Sequence, residues 1–228
     1  KGGEVVDYSS TLIPVFSDVI TPDPEMSAHI DSLRAPYEAE CNRVIGSTSG
    51  LLYRRGNFNG TWDDLICQGI IEERDAEISL SPGFRWGTTL LPGQDITIED
   101  LYTQTSMSYP NVYRTEMTGA QIKTILEDVC DNLFNIDPFY QQGGDMVRVG
   151  GMNYTCAPKA SMGNRISDLT MTKTGEKLDA DRKYVVGGWA SVNENVEGPA
   201  IYDLMEGYIS RKKSIDLPAQ QAVKVIGL

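Results

Sequence analysis

The spacing of apolar positions changes several times along the chain, and each change marks an element. Residues 4–16 (EVVDYSSTLIPVF) read as a strand. Thr21-Pro22-Asp23-Pro24 then starts a helix, with Asp23 as N-cap and Pro24 at the first helical position. Met26, Ile30, Leu33, Tyr37, Cys41 and Val44 follow at helical spacing, and Pro36 should kink or interrupt that helix. A strand at the very start of a chain calls for partner strands upstream. Residues 1–44 are therefore expected to be the end of a missing domain plus a helical linker, and 45–228 one mixed domain.

Within 45–228 the pattern alternates irregularly. Thr61 with Asp64 resembles a capping box opening a helix through about Glu73, and 77–81 (EISLS) is a short strand closed by Pro82-Gly83. Thr97 with Asp100 caps a short helix carrying Ile98, Leu101 and Tyr102. Residues 111–117 are strand-like. Thr118 with Gln121 forms a second capping box before Ile122, Ile125, Leu126, Val129 and Leu133. Strands are expected at 146–154, 166–173, 184–188 and 222–226, with a helix at 199–209. This mixture, without a repeat, predicts an α+β layered domain.

Composition then removes several functions. The 228 residues carry 20 Lys and Arg against 32 Asp and Glu, a net charge of −12, which argues against the basic stripe that nucleic acid demands. No apolar run reaches the roughly 18–20 residues of a membrane helix. There is one histidine, His29, so neither a poly-His metal centre nor a His-based catalytic dyad has material here. Cys41, Cys67, Cys130 and Cys156 are too widely spaced for a zinc motif; they read as packing thiols, with disulfides open in an oxidising compartment.

Three stretches remain as candidate chemistry. In Ser81-Pro82-Gly83-Phe84-Arg85-Trp86-Gly87, a glycine-flanked strand end lets amides approach an anion, and Arg85 can present a bidentate fork to a tetrahedral oxyanion. In the run 141–151, Gly143-Gly144 and Gly150-Gly151 bracket a strand with Arg148 at its middle. Gln142 and Asp145 stand beside the first glycine pair. In 187–195, a strand enters a polar loop with Trp189 at its lip and Asn193 beyond. Each pattern has a plain structural alternative: an ordinary turn with a surface Arg, a hairpin bulge with Arg148 on a solvent face, and, favoured for the third, Trp189 packed in the core.

Taken together, the stretches LSPGFRWG, LLPGQDITIEDL, EMTGAQIKTILED and VRVGGMNYT resemble, in order and spacing, the C-terminal domain of the 5′-nucleotidase family. The resemblance runs over about 45–228 and implies a layered α/β/β/α domain. It departs where that family holds its base: the Asn-Gly-Gly-Gly segment has become Leu80-Ser81-Pro82-Gly83, and the Phe residues of the base clamp are absent at Met107–Asn111 and near Ser191. A stacked base is worth roughly 1–3 kcal/mol, so these losses argue against a nucleoside substrate. The runs GQDITIEDL, YPNVYRTEMTG and QQGGDMVRVGGM are similar to the thiosulfohydrolase branch, the SoxB type.

That branch implies periplasmic hydrolysis of a cysteine-bound S-sulfonate on the swinging arm of the SoxYZ carrier, releasing sulfate. It also implies two manganese ions held by an N-terminal metallophosphatase-like domain, with no metal ligands and no activity in this chain alone. Arg85 would then stabilise sulfonate oxygens, with Trp86, Tyr109, Gln142, Gly143, Gly144, Asp145, Arg148, Trp189 and Asn193 as further substrate contacts. The alternatives are a 5′-nucleotidase or cyclic-nucleotide phosphodiesterase domain with a rebuilt base pocket, and a non-catalytic binding module.

Overall fold

The structure, a computed structural model, describes residues 2–3, 5–54, 56–84, 86–191, 196–217 and 221–227. It divides into two compact units, Lys1–Glu40 and Cys41–Leu228. In the first, helix α1 (Pro24–Arg34) begins as expected: the Asp23 carboxylate accepts the amide of Met26 at 2.8 Å, and Pro24 needs no donor there. The helical stripe breaks around Pro36, and α2 (Glu38–Cys41) is a single further turn. Residues 5–16 form no strand among the described residues, where the sequence reading calls for partner strands upstream. A strand needs a neighbour to take its amides and carbonyls, and no described strand pairs with this segment.

In the second unit a four-stranded sheet carries most of the architecture. Its members are β2 (Ile78–Ser81), β4 (Tyr113–Thr118), β5 (Arg148–Gly150) and β8 (Lys183–Gly188), in the order β4-β8-β2-β5. Strands β2 and β8 run parallel, and the outer two are antiparallel to them. Side chains alternate across it. Ile78, Leu80, Tyr184 and Val186 enter a core with Ile122, Leu126 and Cys130 of α5 (Gly119–Phe134). The opposite face meets α3 (Thr61–Arg74) at Ser79, Gly150 and Gly187, where a Cβ on Gly187 would press on Ile70. Strand β6 (Met152–Cys156) pairs with β7 (Ile166–Met171) on one side and β10 (Val223–Val225) on the other in a small sheet that shares the α5 core. The other core lies among α3, α4 (Ile98–Thr105), α6 (Ile201–Lys212) and a sheet of β1 (Val44–Thr48), β3 (Asp95–Thr97) and β9 (Ser214–Ile215). The class is α+β, as expected.

Local chemistry explains which boundaries agree with the sequence reading. The capping boxes at Thr97/Asp100 and Thr118/Gln121 are both formed. The one at Thr61 is not: Gly60 is the N-cap, and the Thr61 hydroxyl donates to the Leu51 carbonyl at 2.5 Å while accepting the Tyr53 amide at 3.0 Å. The expected strand at 146–154 is two strands, broken at Gly151, whose φ of 76° and contact with the Glu77 carbonyl leave no room for a side chain.

Candidate functional site

The sheet topology brings the three candidate stretches to one edge. Strands β2 and β8, being parallel, both end there, at Ser81 and Gly188. The two antiparallel strands begin there, at Arg148 and Tyr113. Across the ladder Ser81 faces Arg148, Leu80 faces Gly188, and Gly188 also faces Tyr113. Gly83 completes the convergence: a Cβ on it would strike the Met146 carbonyl and Asp145, so the turn after β2 lies directly against the segment before β5. An open cleft of about 1070 Å³ lies at this edge, lined among others by Ser81, Pro82, Tyr113, Trp189, Ala190 and Glu197.

Behind the edge is an ionic cluster removed from water. Asp63, on the first turn of α3, is fully buried. Its carboxylate accepts from Arg54 Nη2 at 3.1 Å, Arg148 Nε at 3.2 Å and the Ser81 hydroxyl at 3.4 Å. Arg148 also reaches Asp145 at 3.4 Å and donates to the Gly56 carbonyl, while Arg54 donates to the Gln104 carbonyl. Burial pushes the Asp63 carboxyl above its ordinary range against the pull of the two guanidiniums, and lowers Arg54 by the same cause. Arg54 Nε and Arg148 Nη1 are buried without a hydrogen-bond partner among the described residues.

An aromatic group covers this cluster. Trp189 is buried and donates from its indole nitrogen to the Ser81 hydroxyl at 2.9 Å. Phe84 meets it edge-on at 5.6 Å and stacks on Trp86 at 4.1 Å, while the Arg54 guanidinium lies 4.9 Å from the Phe84 ring centre. Ala190, next to Trp189 at the cleft, holds a φ of 57°, a left-handed conformation that costs a non-glycine residue roughly 1 kcal/mol. Burial pushes the Tyr113 hydroxyl up to about 12, so it stands in the cleft as a neutral donor.

Asp145, Arg148 and Trp189 are thus brought together, Trp189 in the cleft wall and the two charged residues buried behind it. Trp86 is half exposed on Phe84, beside a separate shallow depression near Tyr102. Tyr109, Gln142, Gly143 and Gly144 are exposed, the glycines with φ of 82° and 93°, and none of these four lines the cleft. Arg85 and Asn193 lie outside the described residues. Sequence reasoning missed Arg54, Asp63 and Gln104, and gave Phe84 no role although it lies in the first candidate stretch. The only available signal was two arginines at 54 and 55 followed by two aspartates at 63 and 64, a pattern equally common on solvated faces.

The family model for the 5′-nucleotidase C-terminal domain matches residues 44–212. Among solved structures, sulfate thiohydrolase SoxB from Thermus thermophilus, in complex with glycerol, superposes with a TM-score of 0.87 at 33% identity. The match covers 95% of this chain and 41% of that one. A 5′-nucleotidase precursor from Thermus thermophilus matches with a TM-score of 0.74 at 15% identity, over 91% and 44% of the two chains. NAD nucleotidase from Haemophilus influenzae matches at 0.64 and 16%, over 89% and 41%. The last two show likeness of fold alone. The chain spans less than half the length of these proteins. No curated protein sequence matches it.

Proposed function

The chain belongs to the 5′-nucleotidase C-terminal domain family, and on that premise we propose that it is the substrate-facing domain of a SoxB-type thiosulfohydrolase. In this reading the whole enzyme acts in the periplasm and hydrolyses a cysteine-bound S-sulfonate on the SoxYZ carrier, releasing sulfate. The supporting observation is the 33% identity to a sulfate thiohydrolase over 95% of the chain, against 15% and 16% for the two nucleotidases. The missing Phe clamp at Met107–Asn111 points the same way.

Among the described residues no three His, Cys, Asp or Glu side chains gather as a metal site, so these residues do not fit the two manganese ions of the branch. The work of this chain is binding and orientation. Arg85, between Phe84 and Trp86 in the sequence, would neutralise sulfonate oxygens as charge shifts toward sulfate. The stack of Phe84 on Trp86 and the ion cluster behind it would hold these two sequence neighbours of Arg85 in place. Trp189 and Tyr113 would form the wall along which the carrier's arm enters.

The test is an assay of the full-length enzyme with S-sulfonated carrier and with AMP. Sulfate release from the carrier with no phosphate from AMP is expected; AMP hydrolysis without sulfate release overturns the reading. Arg85→Ala should lower sulfate release at least about tenfold. An unchanged rate would remove Arg85 from the site.

A further inference from the structure

The two buried thiols at the far side of the sheet are used by nothing described so far. Cys130 lies on α5 and Cys156 ends β6, and both are fully buried. Their sulfurs are 3.6 Å apart. Of the other cysteines, Cys67 is buried on α3 and Cys41 is half-buried at the end of α2, so neither belongs to this core. The two sulfurs are in contact across elements that sequence places 26 residues apart, which puts them within reach of one another for a disulfide.

We propose that Cys130 and Cys156 form a disulfide that staples α5 to β6. The oxidant is a second disulfide, such as oxidised glutathione or a disulfide-bearing oxidase. One thiolate attacks an oxidant sulfur and releases one thiol. The other thiolate then attacks the resulting mixed disulfide, forms the Cys130–Cys156 bond and releases the second thiol. Two electrons pass to the oxidant, and the two protein thiol protons end on its thiols. Because the native core seals both sulfurs, the exchange takes place during folding.

The staple has a mechanical consequence for the candidate site. Between the two cysteines runs the segment carrying exposed Ile136, Phe139 and Tyr140, then Gly143 and Gly144, and finally Asp145 and Arg148. Its near end is already tied down: Arg165 pairs with Asp131 and donates to the Phe134 carbonyl at 3.4 Å. A covalent bond across its base would limit how far the whole segment can open. The pairing stands apart from the hydrolase reading and survives its failure.

The experiment is refolding of the denatured protein in a glutathione redox buffer, followed by alkylation, non-reducing digestion and mass spectrometry. One cross-linked peptide pair joining Cys130 to Cys156 is expected, with Cys41 and Cys67 alkylated. Four alkylated cysteines, or a cross-link to either of the other two, overturns the proposal. Reductant should lower the Tm of the oxidised protein by roughly 4–16 °C. In Cys130→Ala/Cys156→Ala that reductant-dependent shift should vanish; its persistence would also overturn the pairing.

Discussion

Two buried carboxylates, Asp63 on α3 and Glu127 on α5, stand on opposite sides of the same sheet and are satisfied in opposite ways. Glu127 accepts the backbone amides of Gly163 and Ile166 at 2.8 Å and of Arg165 at 3.3 Å, with Lys123 at 4.0 Å. Its partners are fixed donors, and its task is to fasten the loop between β6 and β7. Asp63 is held by two guanidiniums, each with a buried nitrogen left over. Backbone amides close a fold; in the cluster behind the cleft Asp63 is the carboxylate shared by both guanidiniums, with Asp145 a second partner for Arg148. The difference shows that burial by itself does not distinguish a structural charge from one that supports a site, whereas the partner inventory does.

The comparison can be broken first at Asp63. Asp63→Asn leaves two buried guanidiniums facing an amide, and removal of one partner from a buried ion cluster costs about 3–5 kcal/mol. Thermal unfolding should fall by roughly 6–20 °C, the largest shift of the set. A smaller effect is expected at Glu127→Gln, where one acceptor oxygen remains: about 1–3 kcal/mol, with faster hydrogen exchange at the amides of Gly163, Arg165 and Ile166 and unchanged exchange in β2. If Glu127→Gln proved as costly as Asp63→Asn, the contrast between the two sides would collapse.

The gentlest probe is alkaline pH. Burial pushes the Cys67 thiol, one turn beyond Asp63 on α3, from an ordinary value near 9 up to about 12. It likewise pushes Tyr113 from near 10 up to about 12. The unfolded chain loses these protons while the folded chain keeps them, so the folded state binds more protons and stability falls as pH rises. The window runs from about pH 9 to 12, at up to about 1.4 kcal/mol per pH unit for each group. Tm measured across this range should decline from about pH 9 for the native protein, and less steeply between about pH 9 and 10 for Cys67→Ala. Coincident curves would mean that the Asp63 side does not exclude water from its thiol.

What the sequence disclosed follows the reach of each interaction. The boxes at Thr97/Asp100 and Thr118/Gln121 close within one turn, and they formed as read. Thr61 looked the same, but its hydroxyl is taken by Leu51 and Tyr53, partners across a loop that local spacing does not encode. Residues 5–16 have strand composition but no pairing strand among the described residues, and β3 and β9 are too short to leave a period. At the site, Arg148 was visible as a residue but not in orientation: its partner Asp63 lies 85 positions earlier and turns it inward. The arginine at 54 drew no notice because its meaning comes from Asp63 and Phe84, both of which needed the fold to reach it.

The close seating of Gly83 against Asp145 and Met146 bears on how this domain can be altered. The turn after β2 and the segment before β5 are far apart in sequence, yet they share one surface with no clearance for a methyl group. They therefore behave as a single recombination unit. A graft that exchanges 82–87 for the glycine-rich turn of a nucleotidase would need 143–148 exchanged with it, and a library that varies either alone would mostly sample misfits. Change of specificity on this scaffold is therefore expected to require paired change at the two segments.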